Sequence, residues 1–256
     1  MDSIYSLMSA LKGQQRQMDA VANNLANTET PGYKKDSVLF REMFSEYAEQ
    51  DRESDQESFA HEEFMSPLGR GHTSYVMPDH VSPRMTTGRI TPTNSPFDLA
   101  LQTDGFFTVE SDRGLAYSRN GRFLRDAAGY LVTGNGERVM GYNGPIQAKG
   151  KHFSVGTDGT VLVDNQKVDV LKIVRFEQPD RLTKMGNNLF VPSSDAQAPI
   201  LQKEPLIQQG VFEGSNVDPV QELTEMINLN RHYDAAQRAL RGNDELTEQA
   251  ITIARI

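Results

Sequence analysis

The chain has 256 residues, 37% of them hydrophobic, which is enough for a real core in one large domain or two and too many for a disordered protein. A formal net charge of -9 argues against a generic nucleic-acid or anionic-membrane binder, because either needs a basic face. The absence of cysteine removes disulfides, thiol catalysis and Cys-ligated zinc, and no run of roughly 18 apolar residues is present to cross a bilayer as a helix.

In chain order, the first predicted element is a helix from Asp2, the candidate N-cap, to about Asn27. Ile4, Leu7, Leu11, Gln14, Met18, Val21 and Leu25 recur at alternating steps of three and four, the pattern of an amphipathic helix with one narrow seam. Thr30-Pro31-Gly32 stops it. Proline disfavours helix at the residue before it and pre-sets the first corner of a type II turn whose second corner wants glycine. The stretch Met1 to Leu7 lacks the basic region and long apolar run of a cleavable signal peptide, so any export is expected to use another route. A mixed segment with Leu39, Phe40, Met43 and Phe44 follows. Residues 46 to 63, with Asp51, Glu53, Asp55 and Glu57, then read as a solvated acidic linker.

From about Thr73 short β-type runs begin. Gly105 to Val109, Tyr130 to Thr133, Thr160 to Val163, Val168 to Phe176 and Asn188 to Val191 read as strands. Asp112-Arg113-Gly114, Asn120-Gly121, Asn135-Gly136 and Asp158-Gly159 each offer hairpin-turn chemistry between them. No helices alternate with these strands, so the sheet is expected to be antiparallel. The last helix opens with Asp218 as cap, Pro219 at the first helical position and Gln221 three after the cap. It carries Leu223, Met226, Leu229, Tyr233, Ala236 and Leu240, with Gly242 interrupting the pattern ahead of a shorter helical end.

The expected fold is α+β. Residues 1–40 and 213–256 form a discontinuous helical domain whose terminal helices pair in coiled-coil fashion. An acidic linker covers 41–72, and a mainly antiparallel β domain spans 73–212. A helix of about 25 residues with one apolar stripe has no core of its own, so each seam needs a partner in the chain or in another molecule.

At three places the residues resemble a known family. Ala22 to Tyr33, Ala-Asn-Asn-Leu-Ala-Asn-Thr-Glu-Thr-Pro-Gly-Tyr, is similar to the N-terminal signature of bacterial flagellar rod and hook proteins. Leu101 to Phe107 followed by Tyr117 to Phe123 resembles the start of that family's β domain. Glu213 to Val220, then Met226-Ile227 and Arg231-His232-Tyr233, resembles its C-terminal signature. The length and single β domain are more like the rod proteins than the longer hook proteins. Gly141 to Ile146 is closest to the proximal rod type, with the distal rod type as the near alternative.

The resemblance implies a structural, non-enzymatic axial subunit of the basal body rod, polymerising through its terminal helices to transmit motor torque toward the hook. It implies partners among rod subunits, hook-basal body components and the flagellar type III export apparatus. It also implies a place spanning the periplasm, reached without a cleaved signal peptide. The implied assembly residues are Ile4, Leu7, Leu11, Met18, Val21, Asn23, Asn24, Leu25, Asn27, Pro31, Gly32, Tyr33, Leu223, Met226, Ile227, Leu229, Arg231, Tyr233 and Leu240. For the asparagines the alternative to bonding between packed helices is ordinary helix-end chemistry. Tyr33 fits a packed core residue as well as an interface anchor.

An enzyme finds little support. His61-Glu62-Glu63 lacks the second histidine four residues on, where Met65 stands, so no metal site is expected, and neither a cofactor nor a catalytic residue is assigned. Neither nucleic-acid binding nor membrane insertion is expected. The competing function is a stand-alone extracytoplasmic binding module whose helical ends only dimerise.

Overall fold

A computed structural model describes residues 2–45, 73–193 and 197–253, with side chains over 8–40, 81–193 and 197–242. The acidic stretch 46–63, His61, Glu62, Glu63 and His72 lie outside the described residues, as do the side chains of Ile4 and Leu7.

Helix α1 spans Asp2–Ala26. Strands β1 (Asp36–Ser45) and β2 (Thr73–Pro83) pair in a two-stranded sheet, so the mixed segment holding Leu39 and Phe40 is extended. There follow β3 (Ile90–Pro92), β4 (Leu99–Leu101), β5 (Phe106–Ser111), β6 (Gly114–Ser118), β7 (Leu124–Arg125), β8 (Leu131–Val132) and β9 (Arg138–Val139). Then come β10 (Phe153–Val155), β11 (Thr160–Val163), β12 (Gln166–Val170), β13 (Ile173–Arg175), β14 (Leu182–Gly186) and β15 (Leu189–Pro192). The last elements are β16 (Ile200–Leu201), β17 (Ile207–Gln209), β18 (Val211–Glu213) and helix α2 (Pro219–Ile253), which runs on unbroken through Gly242.

Contacts divide the chain into two units. One comprises Met1–Asp19, Val38–His80 and Met226–Ile256, the other Ala20–Ser37 and Val81–Glu225. In the first, the Phe40 ring lies against Gly13 of α1, where an added Cβ would stand 3.1 Å from Phe40 Cε1. The close approach accounts for a glycine in mid-helix, which otherwise weakens a helix by about 1 kcal/mol relative to alanine.

The second unit is the β domain with the segments that enter and leave it. Its main sheet has nine strands. Seven run in the order β14-β15-β6-β5-β9-β8-β7, with β13 beside β5 and β16 beside β13. Strands β10-β11-β12 form a separate sheet, and the pairings among β3 to β18 are antiparallel. Alternation along the central strands sends neighbours to opposite faces. Phe107, Ala116, Ile173 and Leu189 enter one core with Leu99, Phe123 and Val161, whereas Phe106, Tyr117, Val174 and Phe190 enter a second with Leu182. Phe107 meets Phe123 edge-on at 5.1 Å between centroids.

The sequence pattern merged Val168 to Phe176 into one strand, and the structure corrects it to two in different sheets. The break falls at buried Leu171, which bridges Gly141 and donates its N–H to Gly159 O, so the chain changes sheets there. Asn120-Gly121 is likewise no hairpin, since β6 and β7 are not neighbours. Two hairpin turns lacking glycine at their centres went unread. Asp164-Asn165 joins β11 to β12 and Asn187-Asn188 joins β14 to β15, with φ of 51°, 66°, 53° and 57°. Two successive positive φ values mark the type I′ geometry that matches strand twist.

The return of the chain positions the functional region. β17 pairs with β4 and β18 with β3, in a register that sets Glu213 opposite Ile90. That brings the segment before α2 back beside the residues that follow α1.

Candidate functional site: a buried polar joint

Leaving α1, the chain makes the expected type II turn. Tyr33 N–H donates to Thr30 O at 3.3 Å and Gly32 takes φ +68°. Gly32 N–H donates to Glu213 O at 2.8 Å, and Asn188 Nδ2 donates to Pro31 O at 3.0 Å. The corner is pressed so close to the β domain that a Cβ on Gly32 would stand 2.3 Å from Asn120 N. Pro31-Gly32 is therefore both a turn and a docking point within the chain.

Asn24 lies just inside the end of α1 and is buried. Its Nδ2 donates to Asp36 O at 3.0 Å and Glu222 Oε2 at 3.2 Å, while its Oδ1 accepts from Asp36 N–H at 2.7 Å and the Tyr33 hydroxyl at 3.1 Å. All four hydrogen-bonding positions of the amide are used. Burial, followed by the charge of Asp36, pushes the Tyr33 pKa up and keeps the hydroxyl a donor. Asn27 does plain helix-end work, its Nδ2 donating to both Asn23 O and Asn23 Oδ1 at 2.9 Å.

Opposite stands the first turn of α2. Asp218 Oδ1 accepts from Val220 N–H at 2.9 Å, the expected N-cap. Glu222 is fully buried and holds the Lys35 ammonium as well as the Asn24 amide. Asn216 tightens the same corner: its Oδ1 accepts Lys35 N–H at 2.7 Å and its Nδ2 donates to Arg84 O at 2.7 Å. Lys184, from β14, pairs with Asp36 at 2.7 Å and lies 3.8 Å from the centre of the Tyr33 ring. Burial lowers the Lys184 pKa against the pull of Asp36.

At the bottom sits Glu213. Its Oε1 accepts from Lys34 Nζ at 2.7 Å and Gly88 N–H at 2.9 Å, and its Oε2 from Arg119 Nε at 2.7 Å. Arg119 spends three further donors on Thr103 O at 2.8 Å, Gly105 O at 2.5 Å and Leu101 O at 3.2 Å, while Lys34 also reaches Thr86 O at 2.8 Å. Burial alone would raise the Glu213 pKa, but Arg119 and Lys34 overcome it and hold the carboxyl below its ordinary value. Burial lowers the Lys34 pKa, opposed by Glu213 and reinforced by the competing charge of Arg119. The triad is ionic because each charge has several hydrogen bonds, the condition under which buried ions are tolerated.

The remaining candidates fall on both helices. On α1 Val21 is buried, Leu11, Met18 and Leu25 are half-buried, and Asn23 is exposed. On α2 Leu229 is buried and Met226, Tyr233 and Leu240 are half-buried, but Leu223 and Ile227 are 47% and 53% exposed and Arg231 is exposed. At about 100° per residue Leu223 and Ile227 share a face with Val220 rather than with Leu229. The helix therefore carries two stripes.

Three segments match family signatures in order: residues 4–34 the flagella basal body rod protein, residues 100–163 the flagellar hook protein FlgE/F/G D1 domain, and residues 208–253 the flagellar basal body rod FlgEFG protein C-terminal. The chain is 31% identical to the flagellar basal-body rod protein FlgG of Bacillus subtilis (strain 168), over 99% of each chain. It belongs to the flagellar basal-body rod protein family. Among other relatives, the rod protein FlgF of Caulobacter vibrioides is 30% identical over 98% of this chain and 96% of its own. FlgF of Salmonella typhimurium is 30% identical over 95% and 94%.

This rod-family chain is a structural subunit of the flagellar basal body and not an enzyme, and its partners are other flagellar structural subunits. The polar joint lies where the terminal signatures meet the β domain. Asn24, Gly32 and Tyr33 come from the first, Arg119 from the second and Glu213, Asn216 and Glu222 from the third. Lys34, Arg119, Glu213, Glu222 and Lys184 were not singled out by sequence reasoning. Their charge was visible, but the partners lie 94 residues apart for Arg119 and Glu213, 179 for Lys34 and Glu213, and 198 for Asn24 and Glu222.

Proposed function

We propose that this rod subunit polymerises through its terminal helices, with the polar joint fixing how the segments 20–37 and 213–225 leave the β domain. The observation that carries the reading is the stripe Val220, Leu223 and Ile227 on α2, 70%, 47% and 53% exposed, on a helix whose opposite stripe is buried or half-buried. Exposed apolar residues at steps of three and four on one helix suit a partner helix. An axial polymer needs such non-closing, head-to-tail contacts.

In this reading residues 1–40 and 213–256 supply the helical assembly domain and pair in coiled-coil fashion, both with each other and between subunits, around a β domain of 73–212. Ile4, Leu7, Leu11, Met18, Val21, Leu25, Met226, Leu229, Tyr233 and Leu240 line its seams, while Leu223, Ile227 and Arg231 face neighbours. The subunit transmits torque along the rod toward the hook, spans the periplasm, and is exported by the flagellar type III apparatus without a cleaved signal. The proximal position rests on Gly141 to Ile146, with the distal position as the alternative.

The test is a chromosomal Leu223→Asp, Ile227→Asp double substitution in the native organism, read by swimming and by imaging basal bodies. Loss of motility with truncated rods, from a protein that keeps its wild-type unfolding curve in vitro, is expected. Normal motility would remove α2 from the assembly interface.

A further inference from the structure

The chain contains three Asn-Gly pairs, Asn120-Gly121, Asn135-Gly136 and Asn143-Gly144. In such a pair the backbone nitrogen of the glycine can attack the asparagine Cγ. A C–N bond forms, the amide nitrogen leaves as ammonia, and a five-membered succinimide results. Water then opens the ring at either carbonyl, giving aspartate or isoaspartate with no further reactant. The reaction needs a side chain free to rotate toward the next nitrogen and a following residue without a Cβ to obstruct it.

The fold treats the three pairs differently. Asn120 Oδ1 accepts Arg122 N–H at 3.0 Å, Asn120 N–H donates to Ser118 Oγ at 3.1 Å, and Gly121 is buried, with Leu99 O only 1.7 Å from where a Cβ would lie. Asn143 donates both its N–H, at 3.0 Å, and its Nδ2, at 2.9 Å, to the carboxylate of buried Asp169. Gly144 O is tied to Gly141 N–H at 2.7 Å.

Asn135 sits at the exposed tip of the β8–β9 hairpin, and its side chain has no hydrogen bond to any described residue. Gly136, at φ +96°, has nothing within 4 Å of its Cβ position. Gly136 N–H itself donates to Thr133 O at 3.1 Å, and the loop is closed behind it by Thr133 N–H to Glu137 O at 2.8 Å, Glu137 N–H to Thr133 Oγ1 at 3.2 Å and the Thr133 hydroxyl to the Glu137 carboxylate. Bonds at an exposed hairpin tip open locally at far less cost than those in a packed sheet.

We propose that Asn135-Gly136 is a site of spontaneous deamidation in the folded protein, and that the fold protects Asn120 and Asn143. The product carboxylate enters a cleft already lined by Glu110, Asp112 and Glu137 with Arg113. It therefore adds negative charge to a predominantly acidic tip.

The experiment incubates the full chain at mildly alkaline pH, with a parallel sample in urea, and follows each pair by peptide mass spectrometry with isoaspartate detection. In the folded sample Asn135 is expected to convert about tenfold or more faster than the other two, since those must first open packed structure. In urea the three rates should converge. Asp169→Ala, which frees the Asn143 side chain, should raise conversion at Asn143 without changing it at Asn135. Equal rates at all three sites in the folded protein overturn the proposal, as does an Asn135 that stays intact when folded yet converts in urea.

Discussion

Arg119 and Glu213, 94 residues apart in the chain, meet with Arg119 Nε 2.7 Å from Glu213 Oε2, both almost wholly out of solvent. This contact fastens the segment that leads into α2 to the end of β6, and Lys34 adds the segment that follows α1. Removing the shared carboxylate would strand two buried cations. Glu213→Ala should therefore destabilise the β domain by about 3–5 kcal/mol. A shift in the urea midpoint of less than about 1 kcal/mol equivalent would show the triad to be energetically idle.

Acid should weaken the same joint. The Glu213 carboxyl is held below the ordinary glutamate value of 4.5, so the stability it contributes is complete above that pH and is lost as pH falls through the lower folded-state value. Unfolding temperatures measured from neutral pH downward should separate wild type from Glu213→Gln most strongly above about pH 5, the gap narrowing in acid. A gap independent of pH would mean that Glu213 is not ionised in the fold.

Tyr33→Phe removes one hydroxyl from Asn24 and should cost about 1 kcal/mol near neutral pH. The hydroxyl pKa is raised above 10.0 in the fold, so its contribution is complete below that value and is lost as pH rises. The variant should accordingly lose less stability than wild type on going to strongly alkaline pH. Denaturant titrations of both proteins at neutral and alkaline pH measure this.

Gly32→Ala should be among the more damaging single-methyl additions in the chain. The residue needs a left-handed φ of +68°, and the added carbon would stand 2.3 Å from the Asn120 backbone nitrogen. Strain and clash together should cost about 2 kcal/mol or more, against a gain of about 0.5–1 kcal/mol for Gly242→Ala, whose Cβ position is open and helical. Thermal unfolding of the two variants provides the comparison, and similar midpoints would contradict it.

Local signals carried much of the architecture. The seam of α1, the Pro31-Gly32 turn, the Asp218 cap and the antiparallel strands are legible because each depends on neighbours a few residues away. The strand break at Leu171 was not, since only a bridge to Gly141 makes it one. The joint was half legible: Asn24, Gly32 and Tyr33 stand in a recognisable signature, but their partners Glu222, Glu213 and Asp36 are ordinary charged residues until the fold assembles them.

By itself, then, the sequence determined the helical ends, the β character of the middle and the family, because periodicity, turn chemistry and ordered signatures are local properties of a chain. Tertiary structure alone decided that Glu213 is a buried hub rather than a surface charge, and that α2 keeps one stripe covered and shows another. Burial and pairing between residues as far as 198 positions apart, as for Asn24 and Glu222, are set by strand register and sheet crossing, and no local pattern encodes them.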